Sequence, residues 1–218
     1  MPENLVKFTK IFVFLAILVL GFTTAPAFAD NITIQNASFE MTNPFGYSSP
    51  GFGVWNIGPI PGWTITSGGA GSWQPGPAAF SSVPNGITVL YSNGGLISQT
   101  LGVSLLANTT YTLSVDIGHR LDGDVTDYAL SLLAGGTVLN SLAGSNGLIP
   151  IGTFADESFS FTSGASVPSG SLSIILGSAG TQTDFDNVRL VATPVPEPGS
   201  LALLAAGLGF AFFVFRRR

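Results

Sequence analysis

The feature that most constrains this chain is a two-residue alternation of apolar and polar side chains, repeated in short runs. In the clearest run Tyr111, Leu113, Val115 and Ile117 alternate with hydroxyl and carboxyl side chains, and similar runs occupy 128–132, 159–161 and 172–176. Because successive side chains of a strand point to opposite faces, each run predicts a strand with one buried face. Turn signals separate the runs, namely Asn93-Gly94-Gly95, Asp122-Gly123, Gly135-Gly136, Asn146-Gly147 and Pro168-Ser169-Gly170.

This pattern predicts an all-β fold, because no helical period lasts three turns outside the two ends of the chain. Short antiparallel strands with one apolar face must bury it against a second sheet, which gives a β-sandwich. The segment Asp30–Thr193 has the length of one domain. Within it, 51–84 is rich in Pro and Gly and predicts long loops with short edge strands.

The N-terminus has the layout of a secretory signal peptide. Lys7 and Lys10 precede an uncharged apolar run, and small residues follow it up to Ala29. We expect cleavage after Ala29, so that 1–29 is removed and the mature chain starts at Asp30. The alternative is an uncleaved anchor helix, for which the apolar run is short compared with the roughly 20 residues that span a bilayer.

The C-terminus combines three features in order. A Pro-rich linker over 194–200 contains Pro196-Glu197-Pro198, an uncharged apolar run covers Leu201–Phe215, and the chain ends in Arg216-Arg217-Arg218. The apolar run predicts a transmembrane helix, and the arginines would stay on its cytoplasmic side. The alternative is a buried core helix, which would leave three charged arginines at the end of a buried apolar segment.

Those three features together resemble the PEP-CTERM sorting signal of Gram-negative bacteria. The resemblance implies recognition by an exosortase, a membrane protease that cuts near the Pro-Glu-Pro motif. It also implies an inner-membrane intermediate, a final place on the outer surface or in the extracellular matrix, and an association with exopolysaccharide and biofilm.

The charge of the exported segment excludes one class of partner. Asp30–Thr193 carries ten acidic residues against two basic ones, Arg120 and Arg189, so we expect no nucleic-acid partner. Cysteine is absent from the whole sequence, which excludes disulfides and a thiol nucleophile.

Four short motifs resemble those of the galactose-binding-like jelly roll found in many carbohydrate-binding modules. They are Asn36-Ala37-Ser38-Phe39-Glu40, Pro61-Gly62-Trp63, the segment 108–113 and the segment 185–190. The resemblance implies a jelly-roll sandwich with a tendency to bind sugars, although a fold alone does not establish a function. It also implies a buried Trp63.

The same resemblance implies a structural calcium held by Glu40 and Asp186, with backbone carbonyls as the remaining ligands. Asn187 stands where the family has a second acid, which reduces the ligand set. The alternative is two separately solvated acids. A second acidic group, Asp122, Asp124 and Asp127, could clamp a cation, but solvated loop acids with Arg120 neutralising a neighbour fit the spacing better.

Catalytic signatures are weak in this sequence. His119 is the only histidine, and no nucleophile-elbow sequence places a serine beside it. A paired-carboxylate glycosidase needs acids about 5 to 9.5 Å apart, which sequence cannot position. The sequence therefore predicts a structural histidine and a protein that is not an enzyme.

Aromatic residues concentrate in the loop-rich first third. Tyr47, Trp55, Trp73 and Tyr91 predict a platform on which sugar rings could stack, with burial in the core as the alternative for the tryptophans. We therefore expect an exported protein that binds extracellular polysaccharide without catalysis. The alternatives are an adhesive protein that binds other proteins and a weak glycan hydrolase.

Overall fold

The computed structural model describes residues 28–41, 46–123 and 125–195, with the single residues 207, 209 and 216. The chain divides into a unit over Ala29–Pro194 and a second unit made of Met1–Phe28 and Val195–Arg218. Among the residues so described, no helix is long and apolar enough to cross a membrane. The following predicted features lie outside the described residues: the signal peptide up to 27, Asp124, the motif Pro196-Glu197-Pro198, nearly all of the transmembrane run, Arg217 and Arg218.

The described part of the domain is built from strands. In chain order they are β1 (Asp30–Ile32), β2 (Tyr47–Ser49), β3 (Gly53–Trp55), β4 (Thr64–Pro75), β5 (Val89–Ser104), β6 (Thr109–His119), β7 (Asp127–Ala134), β8 (Thr137–Ser145), β9 (Thr153–Thr162), β10 (Ser171–Ala179) and β11 (Thr183–Pro194). A short 3₁₀ turn, Asn146–Leu148, follows β8.

These strands form two layers that are joined at one corner. The first layer has the order β2-β3-β4-β5-β10-β7-β8, and the second contains β1, β11, β6 and β9. All pairings between the strands are antiparallel. The corner is the start of β11, where Thr183, Asp184 and Phe185 pair with Ser92, Tyr91 and Leu90 of β5. The prediction of an all-β antiparallel fold is confirmed, and the jelly-roll assignment within that class stays a prediction.

The main core lies between the two layers and is made by the alternating residues of the predicted strands. The apolar side chains of 111–117, 128–132 and 172–176 are buried in one cluster, while Phe159 and Phe161 are half-buried against it. Burial of about 25 cal/mol per Å² of apolar surface makes this alternation the main source of stability in a chain without disulfides.

A second, smaller apolar cluster covers the outer face of the corner. Leu90, Phe185 and Ile117 are aligned across three strands and point into the main core. The next residues along each strand therefore point outward. The outer cluster consists of Trp73, Ala79, Phe80, Val89 and Tyr91, with Phe52, Trp55, Val83 and Phe154 packed against it.

Two expectations about local structure are wrong. Asn93-Gly94-Gly95 is not a turn, because it lies inside the long strand β5. There β4 and β5 pair with irregular register, and a Cβ on Gly95 would stand 2.1 Å from the Ser67 carbonyl oxygen, so glycine allows a close strand approach. The segment 51–84 is also more regular than expected, since β4 runs for twelve residues.

Candidate functional site

The outer face of the corner carries a row of three residues on neighbouring strands. Tyr91 of β5, Asp184 of β11 and Gly118 of β6 stand side by side in the register of the sheet. Gly118 has no side chain, and a Cβ there would meet the rings of Phe80 and Phe154 at 2.9 and 2.8 Å. The rings of Phe80 and Phe154 therefore cover the Gly118 end of the row, and the Asp184 residue stands at its centre.

Beside this row opens an aromatic cleft of about 520 Å³. Its apolar walls are Phe52, Trp55, Ile57, Trp73 and Tyr91. The indole N–H of Trp73 donates to the Phe52 carbonyl at 2.8 Å, which fixes the ring in the wall. Trp73 and Tyr91 are buried, whereas Trp55 is half-buried.

One glycine makes the cleft wall possible. A Cβ on Gly71 would lie 1.8 Å from the Asn56 carbonyl oxygen, so only glycine lets the segment after β3 cross so close to β4. The same carbonyl accepts the Tyr91 hydroxyl at 2.9 Å. Burial raises the pKa of that hydroxyl above its usual value, so Tyr91 enters the cleft as a neutral phenol.

Arg120 closes the polar end of the cleft. Its guanidinium lies 5.0 Å from the centroid of Trp73, a cation–π distance. It donates to both carboxylate oxygens of Asp122, at 2.9 and 2.5 Å, and to Oε1 of Gln182 at 2.8 Å. The expectation that Arg120 neutralises a loop acid is confirmed, and the neutralised acid is Asp122.

Asp184 is 1% exposed and does not itself line the cleft; its strand partner Tyr91 and its hydrogen-bond partner Gln182 do. Its Oδ1 accepts from Nε2 of Gln182 at 2.7 Å, and its buried Oδ2 has no hydrogen-bond partner among the described residues. Burial raises the pKa of Asp184 to about 7, against the opposing effects of the Gln182 hydrogen bond and the Arg120 charge. A carboxyl of this kind can donate a proton near neutral pH.

The four aromatic residues predicted as a platform are brought together by the fold. Trp55, Trp73 and Tyr91 line the cleft, and Tyr47 stacks on Trp55 with ring centroids 6.0 Å apart and an interplanar angle of 15°. The role of these rings in binding a ligand stays a prediction. Trp63 is buried as expected and packs on Phe39 in the main core.

The two predicted calcium ligands also converge, on one short loop. Asp186 accepts from the backbone N–H of Asn85 at 2.9 Å, and Glu40 accepts from those of Ile87 and Thr88 at 2.9 and 3.1 Å. Burial and the nearby charges of Asp116 and Glu40 raise the pKa of Asp186 to about 7, the first cause being the larger.

Side chains alone would not complete that calcium site. Within the described ranges, no group of three or more His, Cys, Asp or Glu residues is arranged to hold a metal. Asn187, which replaces the second acid, donates its amide to Asp116 at 2.9 Å. The remaining ligands would have to be backbone carbonyls. Calcium at Glu40 and Asp186 stays a prediction.

His119 is buried, and its Nδ1 lies 2.8 Å from the Ile149 carbonyl oxygen. This contact ties the end of β6 to the loop before β9, which fits the expected structural role.

Sequence reasoning missed the central acid of the site. Asp184 follows Thr183 in a run of polar residues without a motif, and its burial comes only from strand pairing. Gln182 was missed for the same reason. The one available signal was the spacing of Asp184 and Asp186, which places both acids on one face of the last strand.

Comparisons with known proteins assign both parts of the chain. Residues 30–191 match the HpiC1-like family, described as HpiC1 cyclase. Residues 194–218 match the PEP-CTERM protein-sorting motif, which confirms that resemblance and marks an exported protein processed by an exosortase. Among proteins with curated functions, none matches.

Solved cyclase structures match the whole domain. The Stig cyclase Fisc from Fischerella sp. TAU, in complex with (3Z)-3-(1-methyl-2-pyrrolidinylidene)-3H-indole, is 29% identical, with 77% of this chain and 100% of that chain covered and a TM-score of 0.63. A cyclase from the same organism in complex with 4-(1H-indol-3-yl)butan-2-one is 30% identical over 76% and 98% of the chains, with a TM-score of 0.62.

A xylan-binding domain from Paenibacillus barcinonensis matches at 15% identity over 62% of this chain and 87% of that one, with a TM-score of only 0.43. That similarity assigns no ligand. The family and the two cyclase structures point to an enzyme instead. The prediction of a protein without catalysis is therefore wrong, because the family match and the cyclase structures cover the domain although the sequence carries no recognisable catalytic motif.

The raised pKa of Asp184 predicts a stability that falls as pH rises. Well below pH 3.8 the carboxyl is protonated in both the folded and unfolded states. Between its ordinary pKa of 3.8 and about pH 7, only the unfolded state releases the proton, so the free energy of unfolding decreases. The decrease reaches about 4 kcal/mol and is complete above pH 7.

Asp184→Asn should remove that loss, so its free energy of unfolding should exceed that of the wild type by more at pH 8 than at pH 4.5. Urea denaturation at both pH values measures the difference. The exposed Asp127→Asn controls for the loss of one acidic side chain. An equal difference at both pH values would show that Asp184 titrates normally.

Proposed function

Because the chain belongs to the HpiC1-like cyclase family, we propose that its exported domain closes a ring in an apolar substrate that bears a flat aromatic group. The observation that carries this proposal is an aromatic cleft lined by Tyr91 and Gln182, the strand partner and the hydrogen-bond partner of the buried Asp184 carboxyl. Its volume of about 520 Å³ suits a small molecule, since such sites hold roughly 300 to 1,000 Å³. The Fischerella cyclases bind indole compounds, and we extend that ligand class to this cleft.

The chemistry proposed is an isomerisation driven by proton transfer. Asp184 donates its proton from Oδ2 to a C=C or C=N bond of the substrate, which leaves a cation on the adjacent carbon. The π electrons of a second double bond or of the aromatic ring attack that carbon, so a new C–C bond forms. The cyclised cation then loses a proton to the Asp184 carboxylate, and the product has the mass of the substrate.

The walls of the cleft suit a cationic intermediate. The face of Trp73 already accommodates the Arg120 guanidinium at 5.0 Å, and aromatic faces stabilise a cation by roughly 0.5 to 2 kcal/mol. The proposal places the reacting atom between Tyr91 and Gln182. Of these two cleft residues, Tyr91 pairs with Asp184 in the sheet and Gln182 donates a hydrogen bond to it. Contacts of a catalytic acid commonly tighten only when substrate binds.

Polysaccharide binding is retained as a second candidate function at the rim of the cleft. Tyr47 is 52% exposed and stacks on Trp55, which gives a flat surface of the kind that sugar rings contact. Such binding would hold the exported enzyme in the extracellular matrix or at the outer surface, where the sorting motif leads us to place it.

We also propose a structural calcium at Glu40 and Asp186. Both carboxylates are anchored to backbone N–H groups of the loop 85–88, so a cation between them would hold the first and last parts of the domain to that loop. Glycine is favoured at position 86 by its φ of 67°, and a Cβ there would lie 2.0 Å from Oε1 of Glu40 and displace that carboxylate.

The cyclase proposal predicts a product that is isomeric with its substrate. An indole carrying an unsaturated side chain, incubated with the protein in D₂O, should give a cyclised isomer with one solvent deuterium, detected by mass spectrometry and NMR. Asp184→Asn should lower kcat by roughly 10² to 10⁴, the usual contribution of a general acid. Full activity in that variant would contradict the role of Asp184.

The polysaccharide proposal predicts retention on matrix polysaccharide through the exposed rings. Wild-type protein should be retained in affinity electrophoresis, and Tyr47→Ala should lower the retention, because Tyr47 forms the exposed side of the stack. Buried Trp63→Phe is the matched aromatic control. Equal retention of wild type and Tyr47→Ala would reject the rim as a sugar site.

The calcium proposal predicts a loss of stability on chelation. Calcium at a hundredfold excess over its Kd should stabilise the fold by roughly 2.7 kcal/mol, which corresponds to a Tm increase of about 5 to 11 °C. Chelation should reverse that increase, and Asp186→Ala should abolish the response. A response that survives in Asp186→Ala but disappears in Asp122→Ala would instead place the ion at the 122–127 loop.

A further inference from the structure

Next to the aromatic cleft lies a second cavity of about 320 Å³, here called the polar annex. The two cavities share four lining residues, Asn93, Arg120, Asp122 and Gln182, so they lie on either side of the same side chains. The remaining residues of the annex are Gly123, Asn146 and Thr181. Among the described residues no apolar side chain lines the annex, whereas five line the cleft.

The described side chains that line the annex balance in charge. Among them Arg120 is the cationic group, and it is paired with both oxygens of the anionic one, Asp122. A bidentate pair of this kind carries no net charge for a ligand to neutralise. The described lining therefore suits a neutral polar group better than a free ion.

Two of the described side chains that line the annex, Arg120 and Gln182, can supply hydrogen-bond donors to a ligand. Arg120 has five N–H bonds, and Asp122 and Gln182 accept three of them. Because arginine can only donate, it fixes Oε1 of Gln182 towards itself and turns the amide nitrogen towards Asp184. That nitrogen carries a second hydrogen, so Gln182 is a further donor beside the annex.

One wall of the annex is rigid. Asn146 is 2% exposed, and its Oδ1 accepts from the Thr126 backbone N–H at 2.8 Å. Its amide nitrogen donates to the Gly118 carbonyl at 3.4 Å. This side chain joins the loop after β8 to the end of β6, so hydrogen bonds between separate elements hold this wall of the annex in place.

From this geometry we infer that the polar annex binds a neutral hydrogen-bond acceptor, such as a ketone or an imine, carried by the substrate on a short chain from its aromatic group. The inference rests on the proposed function, since the aromatic group must occupy the cleft. It makes Gln182 and Arg120 residues that determine specificity: they select substrates that have a carbonyl-type group at the end opposite the flat ring.

Two ligands that differ in one group test this inference. The probes are 4-(1H-indol-3-yl)butan-2-one and 3-butylindole, which have the same chain length and differ by the carbonyl oxygen. Isothermal titration calorimetry on the wild-type protein should give a Kd about 3 to 10 times lower for the ketone, as one net hydrogen bond of roughly 0.5 to 1.5 kcal/mol provides. Equal Kd values for the two probes would overturn the inference.

Two variants locate the effect. Gln182→Met, which keeps the length of the side chain without its hydrogen-bonding groups, should bring the ratio of the two Kd values close to one. Trp55→Ala should weaken both ligands by a similar factor and leave the ratio unchanged. A full ratio in Gln182→Met would also overturn the inference. If Gln182→Met does not fold, the conservative Arg120→Lys should reduce the ratio instead, because Lys lacks the planar set of donors.

The same measurements separate this inference from the proposed function. Binding of 3-butylindole reports on the aromatic cleft alone. If neither probe binds to the wild type, the proposed ligand class fails together with the annex. If 3-butylindole binds and the ketone binds no tighter, the cleft stands and only the annex inference fails.

Discussion

The constraint on which the rest of this structure depends is the pairing of β11 with both β5 and β6 at the corner between the two layers. The two faces of such a strand lie in different environments. Phe185 points into the main core, and its neighbour Asp184 lies on the opposite face, where it is also buried. The same alternation that stabilises the sandwich therefore also places a carboxyl where water is excluded.

Keeping that carboxyl buried is unfavourable unless polar contacts partly offset its desolvation. The chain Asp122, Arg120, Gln182, Asp184 supplies such contacts, each member holding the next by a hydrogen bond. Only Oδ1 of the last carboxyl is engaged within the described part of the chain, and Oδ2 is not. Polar groups buried with incomplete partners commonly mark functional sites, and here the incomplete one adjoins the aromatic cleft.

A sorting tail joined to a cyclase domain places the chemistry outside the cytoplasm. The domain meets that setting without cysteine, so its stability comes from the apolar core and from local anchors such as the loop held by Glu40 and Asp186. Its ten acidic residues against two basic ones are unfavourable for polyanions, and the proposed ligand is instead a small aromatic molecule in the apolar cleft.

The sequence by itself determined the strands over 111–117, 128–132, 159–161 and 172–176, the all-β class, core positions such as Leu113, Leu130 and Ile174, and the sorting motif, because these depend on local periodicity or on contiguous residues. It also grouped the aromatic residues that line the cleft. Only the tertiary structure decided that Asp184 is buried and that Gln182 holds it, since both facts follow from pairing between strands far apart in the chain. Period-two patterning shows which face a residue takes, but not what packs against that face, and the chemistry of this site depends on the latter.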